Sequence, residues 1–503
     1  MRFLLFLIAL AMPASAISQV QAPKPAPPTI AATAPEIDRI FADFMLDNHL
    51  PGIAYGIVVE GRLVVARGLG VLDVRSRRPV TADSLFRIAS MTKAFTALAI
   101  LKLRDQGRLR LDDLAETYIP EMRGWQYPTA DSPRITIRHL LTHSGGLVTD
   151  NPWGDRQQPL SEAEFTRMLQ HGVPFSRVPG SAFEYSNFDF ALLGRIVANV
   201  SGRSYREYVE SEILRPLGMR SSGFEVTEWP IERRAIGYRW DEGRWVEEPT
   251  MRHGAFGAMG GLQTSVNDYG RYVAWLLSAW PARSDPETGP ISRSSVRELR
   301  QGANFAYLRP RFGRTASTAC RLAATYGMGM FAATDCDLGF TLYHGGGYPG
   351  YGSHILLLPD NGIGIFAFAN GTYAGVSSPV WDVALLLRER NVLTARPIPV
   401  TPALLHAYAA VGRIYGLGNL AAERSMLSMN FFRDHSEQWW LTDLGRLRTQ
   451  VGSCNTEVPI AASTALAGRF TWRCEHGRLS GFIQLAPTDP PTIQQLDLSM
   501  PTP

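Results

Sequence analysis

Ser90 and Lys93 are the two residues of this chain whose types and spacing best suit covalent catalysis. A separation of three positions on a helix brings both side chains to one face, about one turn apart. A hydroxyl is a weak nucleophile at neutral pH, and a neighbouring amine that accepts its proton is one way to activate it. The chain has only three lysines among its 50 basic residues, so few such pairs are expected by chance. The pair predicts a nucleophilic serine with a lysine as proton acceptor.

Tyr185-Ser186-Asn187 is a second candidate motif, and it precedes an apolar helix predicted from Phe190 to Val200. A tyrosine at this point could relay protons between a nucleophile and a leaving group. The asparagine amide could hold either a substrate carbonyl or the lysine. Taken alone, the motif fits a loop anchor equally well.

The run His344-Gly345-Gly346-Gly347 is a third candidate, at the end of a predicted strand. Glycines let the backbone of a ligand come close and add to the edge of a sheet. A glycine-rich turn with one polar residue is the alternative interpretation.

His143 and Ser144 are adjacent within the stretch 140–146 and could be taken for a catalytic pair. Neighbours in sequence do not form such a pair, so we interpret this stretch as a turn that shapes a cleft. No serine lies in a G-x-S-x-G motif, which argues against an α/β-hydrolase.

Strands are predicted at both ends of a long helical region that runs from Asp112 to about Pro310. The predicted strands are Ile53–Val59, Leu63–Leu72, Phe340–His344, His354–Leu358 and Ile363–Ala369. A helix over Glu36–Asn48 precedes them, and a closing helix over Pro379–Arg390 follows. This order predicts a sheet built from both chain ends and flanked by helices, with an all-helical lobe against it and the active cleft between the two.

A proline-rich stretch, Pro397–Pro402, predicts a boundary between a domain over residues 36–396 and a small C-terminal α+β module over 397–503. In the module we predict a helical segment over Leu404–Phe432. We predict its strands over Gln438–Leu441, Phe470–Cys474 and Gly481–Leu485. It carries no catalytic constellation. A stabilising role is expected, and capping the cleft, binding a partner or forming dimers stay open.

The N-terminus has the form of an export signal. Arg2 precedes the apolar run Phe3–Met12, and Ala14-Ser15-Ala16 resembles a signal-peptidase site. We predict a signal peptide and cleavage region over residues 1–22 and an exposed Pro/Ala-rich leader over 23–35. Because the run is far shorter than the ~20 residues that span a bilayer, we expect cleavage, no stable membrane anchor and a periplasmic or secreted protein.

The four cysteines of an exported chain predict two disulfides between near neighbours, Cys320 with Cys336 and Cys454 with Cys474. Their spacing matches no zinc motif, so no metal and no other cofactor is predicted. The net charge of +4 is small and evenly spread, which predicts no nucleic-acid partner. A small-molecule or peptide substrate is expected, and the oligomeric state is left open.

Three motifs in this order resemble the signature of the penicillin-recognising serine hydrolases, in the branch of class C β-lactamases, D-stereospecific peptidases and family VIII-type esterases. The resemblance covers about Ile37–Arg390 and leaves out the C-terminal module. It rests on Ser90-x-x-Lys93, Tyr185-Ser186-Asn187 and His344-Gly345-Gly346, with support from Phe86–Ser90, Leu140–Gly146, Pro179-Gly180 and Met259–Leu262. It implies an α/β (α+β) fold with an antiparallel sheet flanked by helices and an all-helical lobe.

The resemblance also implies roles for single residues. Ser90 would form an acyl-enzyme, while Lys93 and Tyr185 would share the proton transfers. Asn187 would orient the substrate. The backbone N–H groups of Ser90 and Gly347 would bind the oxyanion, and His344, Gly345 and Gly346 would line the cleft.

His344 stands where β-lactamases of this branch usually carry lysine. The loss of a permanent cation weakens recognition of a substrate carboxylate, although a histidine can still donate a hydrogen bond. The sequence therefore favours hydrolysis of amide bonds in small peptides, including D-residue peptides. A carboxylesterase or β-lactamase on the same site is the alternative, and a β-lactam- or peptidoglycan-binding sensor is the alternative without catalysis.

Overall fold

The computed structural model describes residues 28–313 and 320–500 of the chain. The predicted signal peptide and cleavage region lies outside these ranges. No helix within them is long and apolar enough to cross a bilayer.

Strands lie mainly toward the two ends of the chain, and helices dominate its central region. The helices are α1 (Pro28–Asp47), α2 (Thr92–Asp105), α3 (Ala115–Tyr118), α4 (Ile137–Leu141), α5 (Trp153–Arg156), α6 (Glu162–His171), α7 (Asn187–Ser201), α8 (Tyr205–Val209), α9 (Gly257–Gly260), α10 (Val266–Leu277), α11 (Arg293–Glu298), α12 (Ser377–Glu389), α13 (Pro402–Leu417), α14 (Phe431–Asp434) and α15 (Glu437–Val451). The strands are β1 (Gly52–Val59), β2 (Arg62–Asp73), β3 (Arg78–Pro79), β4 (Phe86–Arg87), β5 (Tyr238–Asp241), β6 (Arg244–Glu247), β7 (Gln263–Thr264), β8 (Asn304–Pro310), β9 (Arg321–Tyr326), β10 (Phe331–Asp335), β11 (Gly339–Tyr348), β12 (Tyr351–Leu358), β13 (Ile363–Ala369), β14 (Cys454–Asn455), β15 (Ala461–Thr464), β16 (Ala467–Cys474), β17 (Gly477–Leu485) and β18 (Ile493–Ser499).

The central sheet is antiparallel and has the strand order β3-β2-β1-β13-β12-β11-β10-β9-β8. Strand β1 pairs with β13, so that Ile53 lies opposite Ala369 and Val59 opposite Ile363. This pairing confirms that both ends of the predicted domain build one sheet. The strands β12 and β13 are buried along their whole length, which matches their nearly continuous apolar sequences.

Helices cover both faces of the sheet. On one face, α1 and α12 pack over a core that includes Phe41, Tyr55 and Trp381. On the other face lie the helical lobe and its core, which includes Phe95, Phe190 and Tyr272. Helix α2 is apolar on nearly every side and is buried in this lobe. The predicted fold class is therefore confirmed.

Three edge strands of the sheet were not expected from the sequence. The predicted helical region extends to Pro310, but Asn304–Pro310 forms β8, and β9 and β10 follow it. Alanine fills the middle of β9 and β10, and alanine has a low preference for strands, so pairing across the sheet determines their conformation.

Residues 404–496 form a separate apolar core around Tyr415, Trp440 and Trp472. The strands β14, β16, β17 and β18 make a sheet of their own, with β15 paired to β16. The strand predicted over Gln438–Leu441 is wrong, because these residues lie in α15. That these residues constitute a separate domain stays a prediction.

The prediction of an exposed leader over residues 23–35 does not hold for residues 28–35. Helix α1 begins at Pro28, earlier than the predicted Glu36, and Ile30 is fully buried. Its side chain joins the same core as α12, and this contact extends the helix through a proline-rich sequence.

The structure contains both predicted disulfides. Cys320 and Cys336 are joined with an S–S distance of 2.21 Å, and they link the residue before β9 to the residue after β10. Cys454 and Cys474 are joined with an S–S distance of 1.96 Å across paired strands β14 and β16.

Candidate active site

Ser90 lies in a short 3₁₀ turn, Ala89–Met91, that leads directly into α2. Ala89 has a φ of 46°, a left-handed conformation that costs energy for a residue with a Cβ. The backbone of Ile88, the residue before Ala89, is held by hydrogen bonds at both its N–H and its carbonyl group. The Ile88 N–H donates to Leu262 O at 3.0 Å, and its carbonyl accepts from Ser353 Oγ at 2.7 Å. Ser90 is thus held at the start of a buried helix.

Lys93 is completely buried one turn beyond Ser90. Its Nζ donates to Asn187 Oδ1 at 2.7 Å and to Met259 O at 2.8 Å, and it lies 3.1 Å from Ser90 Oγ. A neutral amine has two N–H bonds and one lone pair. Because the two oxygens can only accept from the amine, the third direction leaves the lone pair for the Ser90 hydroxyl.

Burial lowers the pKa of Lys93 to about 7, although Asp155, Asp150 and Asp189 oppose the shift. A charged ammonium loses its hydration in this interior, which favours the neutral form. The lysine is therefore suited to accept a proton near neutral pH.

Tyr185 lies beside this pair and is partly buried at the wall of the cleft. Burial raises the pKa of its phenol above the ordinary value, and its interaction with Ser90 opposes the rise. Lys93 Nζ lies 4.9 Å from the centroid of the tyrosine ring. The phenol keeps its proton at neutral pH and can pass it on within the Ser90, Lys93 and Tyr185 group.

Asn187 is the first residue of α7, and its amide is occupied by protein groups. Its Oδ1 accepts from Lys93, while its Nδ2 donates to Asn151 and to Asp155 Oδ1 at 3.3 Å. Of the two roles left open by the sequence, this geometry favours holding the lysine. The side chain of Asp150 caps α7 by accepting from the N–H groups of Asn187 at 2.8 Å and Phe188 at 3.0 Å.

His143 holds the backbone on both sides of Tyr185. The Glu184 N–H donates to His143 O at 2.8 Å, and the Ser186 N–H donates to His143 Nδ1 at 3.2 Å. The imidazole also packs on the tyrosine ring, with centroids 4.3 Å apart. An Nδ1 that accepts from a backbone N–H carries no proton, so the ring is a neutral Nε2–H tautomer.

Asp189 also contacts the His143 imidazole in the protein interior. Its Oδ2 lies 3.3 Å from His143 Nδ1, and both side chains are fully buried. Burial holds the pKa of Asp189 well above its ordinary value and the pKa of His143 well below. Both shifts favour the uncharged form of the group concerned.

His344 is buried on β11, and both of its ring nitrogens are engaged. Nδ1 lies 2.6 Å from Gly345 O, which can only accept, so Nδ1 carries the proton. Nε2 then accepts from Tyr326 OH at 3.1 Å. Burial and the nearby Lys93 lower the pKa of His344 to about 3. The hydrogen bond expected from His344 to a substrate is thus directed to the protein.

The glycines after His344 form an open edge of the sheet. The pairing of β10 with β11 stops at Phe331 and Tyr343, and no strand within residues 28–313 and 320–500 pairs with this side of β11 beyond that point. A side chain at Gly346 would collide with Ile88 O and Ser353 Oγ, and one at Gly347 would collide with the Tyr373 ring. These positions therefore require glycine for close packing beside Ser90.

One cavity of about 330 Å³ brings most of the predicted site residues together. Ser90, Tyr185 and the run His344–Gly347 line it, while Lys93 and Asn187 lie buried behind Ser90. Tyr373 also lines the cavity, and its hydroxyl donates to Asp155 Oδ2 at 2.9 Å. The residues in the described part of the chain include no group of histidine, cysteine or acidic side chains arranged to hold a metal.

Sequence reasoning missed the residues that support the lysine. Asp150, Asn151 and Asp155 come from the loop before and within α5, where only the Asn-Pro step at 151–152 indicates a fixed turn. From the sequence, His143 is predicted only to be part of a turn. Its contacts with Tyr185 span about 40 residues and become visible only in the fold.

A serine with a buried lysine one turn away, between an antiparallel sheet and a helical lobe, defines a serine hydrolase fold of the penicillin-recognising type. The model of the Beta-lactamase family matches residues 37–389, and the chain belongs to this family. Protein flp of Staphylococcus aureus strain COL is 29% identical over 337 residues, which cover 67% of this chain and 62% of that protein. Beta-lactamase-like protein 2 of Dictyostelium discoideum is 31% identical over 292 residues, or 55% of this chain and 51% of that one. The chain thus spans about three fifths of the length of Protein flp.

Two solved structures share the fold. An octameric penicillin-binding protein homologue from Pyrococcus abyssi has a TM-score of 0.60 and 22% identity, and the match covers 93% of this chain and 98% of that one. D-alanine carboxypeptidase AmpC from Burkholderia cenocepacia has a TM-score of 0.55 and 21% identity, over 71% of this chain and 100% of that one.

Proposed function

We propose that this protein hydrolyses its substrate through an acyl-enzyme on Ser90. The observation that carries the proposal is the environment of Lys93, whose two N–H bonds are held by Asn187 and Met259 O while its third direction faces Ser90 Oγ. Such an amine is prepared to remove the serine proton without a metal.

The reaction has two halves. The Ser90 Oγ attacks the substrate carbonyl as its proton moves to the Lys93 and Tyr185 pair. The N–H groups of Ser90 and Gly347 stabilise the oxyanion. The bond to the leaving group breaks, and the pair returns the proton to the leaving nitrogen or oxygen. A water molecule then attacks the acyl-enzyme, and the same pair accepts its proton and returns one to Ser90.

We propose small peptide amides, including those with D-residues, as the substrates. The open edge of β11 supports this proposal, because an extended peptide can pair with the free backbone groups beside the glycines. An ester or a β-lactam could be opened by the same groups. Among the described residues that line the cavity there is no lysine or arginine to bind a carboxylate, which favours a neutral amide or ester over a β-lactam.

A first prediction concerns Ser90 itself. A fluorophosphonate probe should label the wild type at Ser90, and Ser90→Ala should abolish both labelling and turnover. Peptide mapping locates the label. Turnover of substrate by the Ser90→Ala protein at the wild-type rate would refute the mechanism, and stable labelling without turnover of any substrate would favour a sensor.

The substrate class follows from a comparison of kcat/KM across one panel. The panel contains D- and L-peptide amides, p-nitrophenyl esters and nitrocefin. The highest kcat/KM on a peptide amide supports the proposal, whereas the highest value on nitrocefin assigns a β-lactamase.

We also propose that the protein is exported. The two disulfides support this, because such bonds persist in oxidising compartments.

A further inference from the structure

The flank of the cleft beyond β11 is a wall of aromatic rings. Its members line the same cavity as Ser90: Tyr307, Phe312, Phe331, Tyr343 and His354. They come from the edge strands β8 and β10, from the segment after β8, and from β11 and β12. We call these five residues the aromatic wall.

The rings of the wall pack against one another in a fixed arrangement. Phe331 stacks on Tyr343 with centroids 5.4 Å apart and an angle of 10° between the rings. Phe312 lies 5.9 Å from Tyr343 and 5.7 Å from His354. Packed rings of this kind form a rigid apolar surface that loses little entropy when a ligand binds.

The two hydroxyls of the wall and one ring nitrogen of His354 are hydrogen-bonded within the protein. The hydroxyls of Tyr307 and Tyr343 lie 2.7 Å apart in a mutual hydrogen bond. Trp381 Nε1 donates to His354 Nε2 at 3.1 Å. Burial lowers the pKa of His354 to about 3, so the imidazole carries no charge. The wall therefore offers mainly ring surface.

Gly345 carries no side chain that would cover the wall, and the wall reaches the Ser90 side of β11 at Phe331, whose ring lies 5.6 Å from that of His344. A Cβ at this position would have its nearest neighbour, His354 Nδ1, 3.5 Å away, so the site has room for a side chain that the sequence does not supply. The neighbouring Gly346 and Gly347 have no such room. The free space at Gly345 thus connects the edge of β11 with the aromatic wall.

We propose that the aromatic wall is a subsite for an uncharged aromatic or branched apolar group of the substrate. This inference rests on the proposed function, since the group must be attached close to the bond that Ser90 attacks. Recognition comes from burial of apolar surface against the rings, which discriminates by group size and by charge.

Two substrate series test the subsite by turnover. One compares phenylacetyl with acetyl esters of p-nitrophenol, and the other compares benzyl with methyl amides of one acyl group. Phe312→Ala should lower kcat/KM for the aromatic member of one series about 10-fold or more relative to its small partner. The control Phe305→Ala, on the same strand as Tyr307 but 63% exposed and outside the cavity, should leave both ratios unchanged. Unchanged ratios in Phe312→Ala would overturn the subsite.

A binding experiment separates the subsite from the chemistry. Titration calorimetry on the Ser90→Ala protein should show tighter binding of neutral phenylacetamide than of acetamide or of phenylacetate. Equal binding of the two amides, or tighter binding of the carboxylate, would contradict the proposal. If the wild type fails to react with a small fluorophosphonate yet this preference is present, the proposed function fails and the subsite stands.

Discussion

Burial favours the neutral form of the Lys93 amine, which is the form that can act as a base. Three carboxyl groups surround it and favour its charged form, yet the loss of hydration outweighs them and lowers its pKa to about 7. At pH values above this pKa the amine is mostly neutral and can accept the Ser90 proton, and at lower pH it is charged and cannot.

We therefore expect kcat/KM to fall as the pH decreases below about 7, with an apparent pKa that belongs to the coupled site. Lys93→Arg should lower kcat/KM by about 100-fold or more, because a guanidinium stays charged. A pH–rate profile measures the first effect. Lys102→Arg is the matched control, since Lys102 forms a surface ion pair with Glu212. A flat profile from pH 5 to 9 would contradict the assigned base.

His143 is a positioning residue for Tyr185. His143→Leu removes the acceptor for the Ser186 N–H and should lower kcat by about 10- to 100-fold through misplacement of the tyrosine. His143→Asn keeps an oxygen near the Nδ1 position and should recover most of kcat. Thermal unfolding provides the second readout. If His143→Asn restores Tm but not kcat, the acceptor is structural only.

The sequence predicted the candidate residues that the fold brings together, but not the residues that contact and position them. Ser90, Lys93 and Tyr185 lie in short local motifs, and the fold brings them together as expected. Asp155 and His143 act through contacts with segments that are distant in sequence, and local sequence patterns do not predict such contacts. The hydrogen bonds of His344 were also not predicted, because one of them depends on Tyr326, a residue of an unpredicted strand.

At the scale of elements, a local sequence feature that favours a strand was opposed by one that favours a helix. The aromatic residues at 439–440 favoured a strand, but Ser436 accepts from the Trp439 N–H at 3.2 Å and caps α15. The hairpin of β1 and β2 was predicted because two apolar runs of strand length are joined by the short turn Glu60-Gly61-Arg62.

The two disulfides stabilise different elements, which gives a paired prediction. Each closes a loop of 16 or 20 residues and should contribute about 3 kcal/mol to stability. Removing Cys320 and Cys336 by alanine substitution should lower both Tm and kcat/KM, because β9 and β10 carry Tyr326 and Phe331. Removing Cys454 and Cys474 should lower stability only. Equal loss of kcat/KM in both double variants would show that the C-terminal residues support the site.

At the scale of the whole molecule, the core of residues 404–496 is separate from the cores around the central sheet. Arg396 is the last strong anchor of the preceding segment, through its contacts with Glu60 and with Leu277 O and Trp280 O. We expect a chain that ends at Val400 to keep fluorophosphonate labelling of Ser90 at the full-length rate. Loss of labelling in a folded truncated chain would assign the C-terminal residues a part in the site.

The pairing of β1 with β13 also determines when the protein can fold. Strand β1 can pair with β13 only after Ala369 has been synthesised, so the central sheet cannot close on a shorter nascent chain. A ribosome-bound or proteolysed fragment can contain Ser90, Lys93 and Tyr185 and still lack the edge of β11 that faces them. We therefore expect a chain that ends before Ala369 to lack the cavity that Ser90 lines.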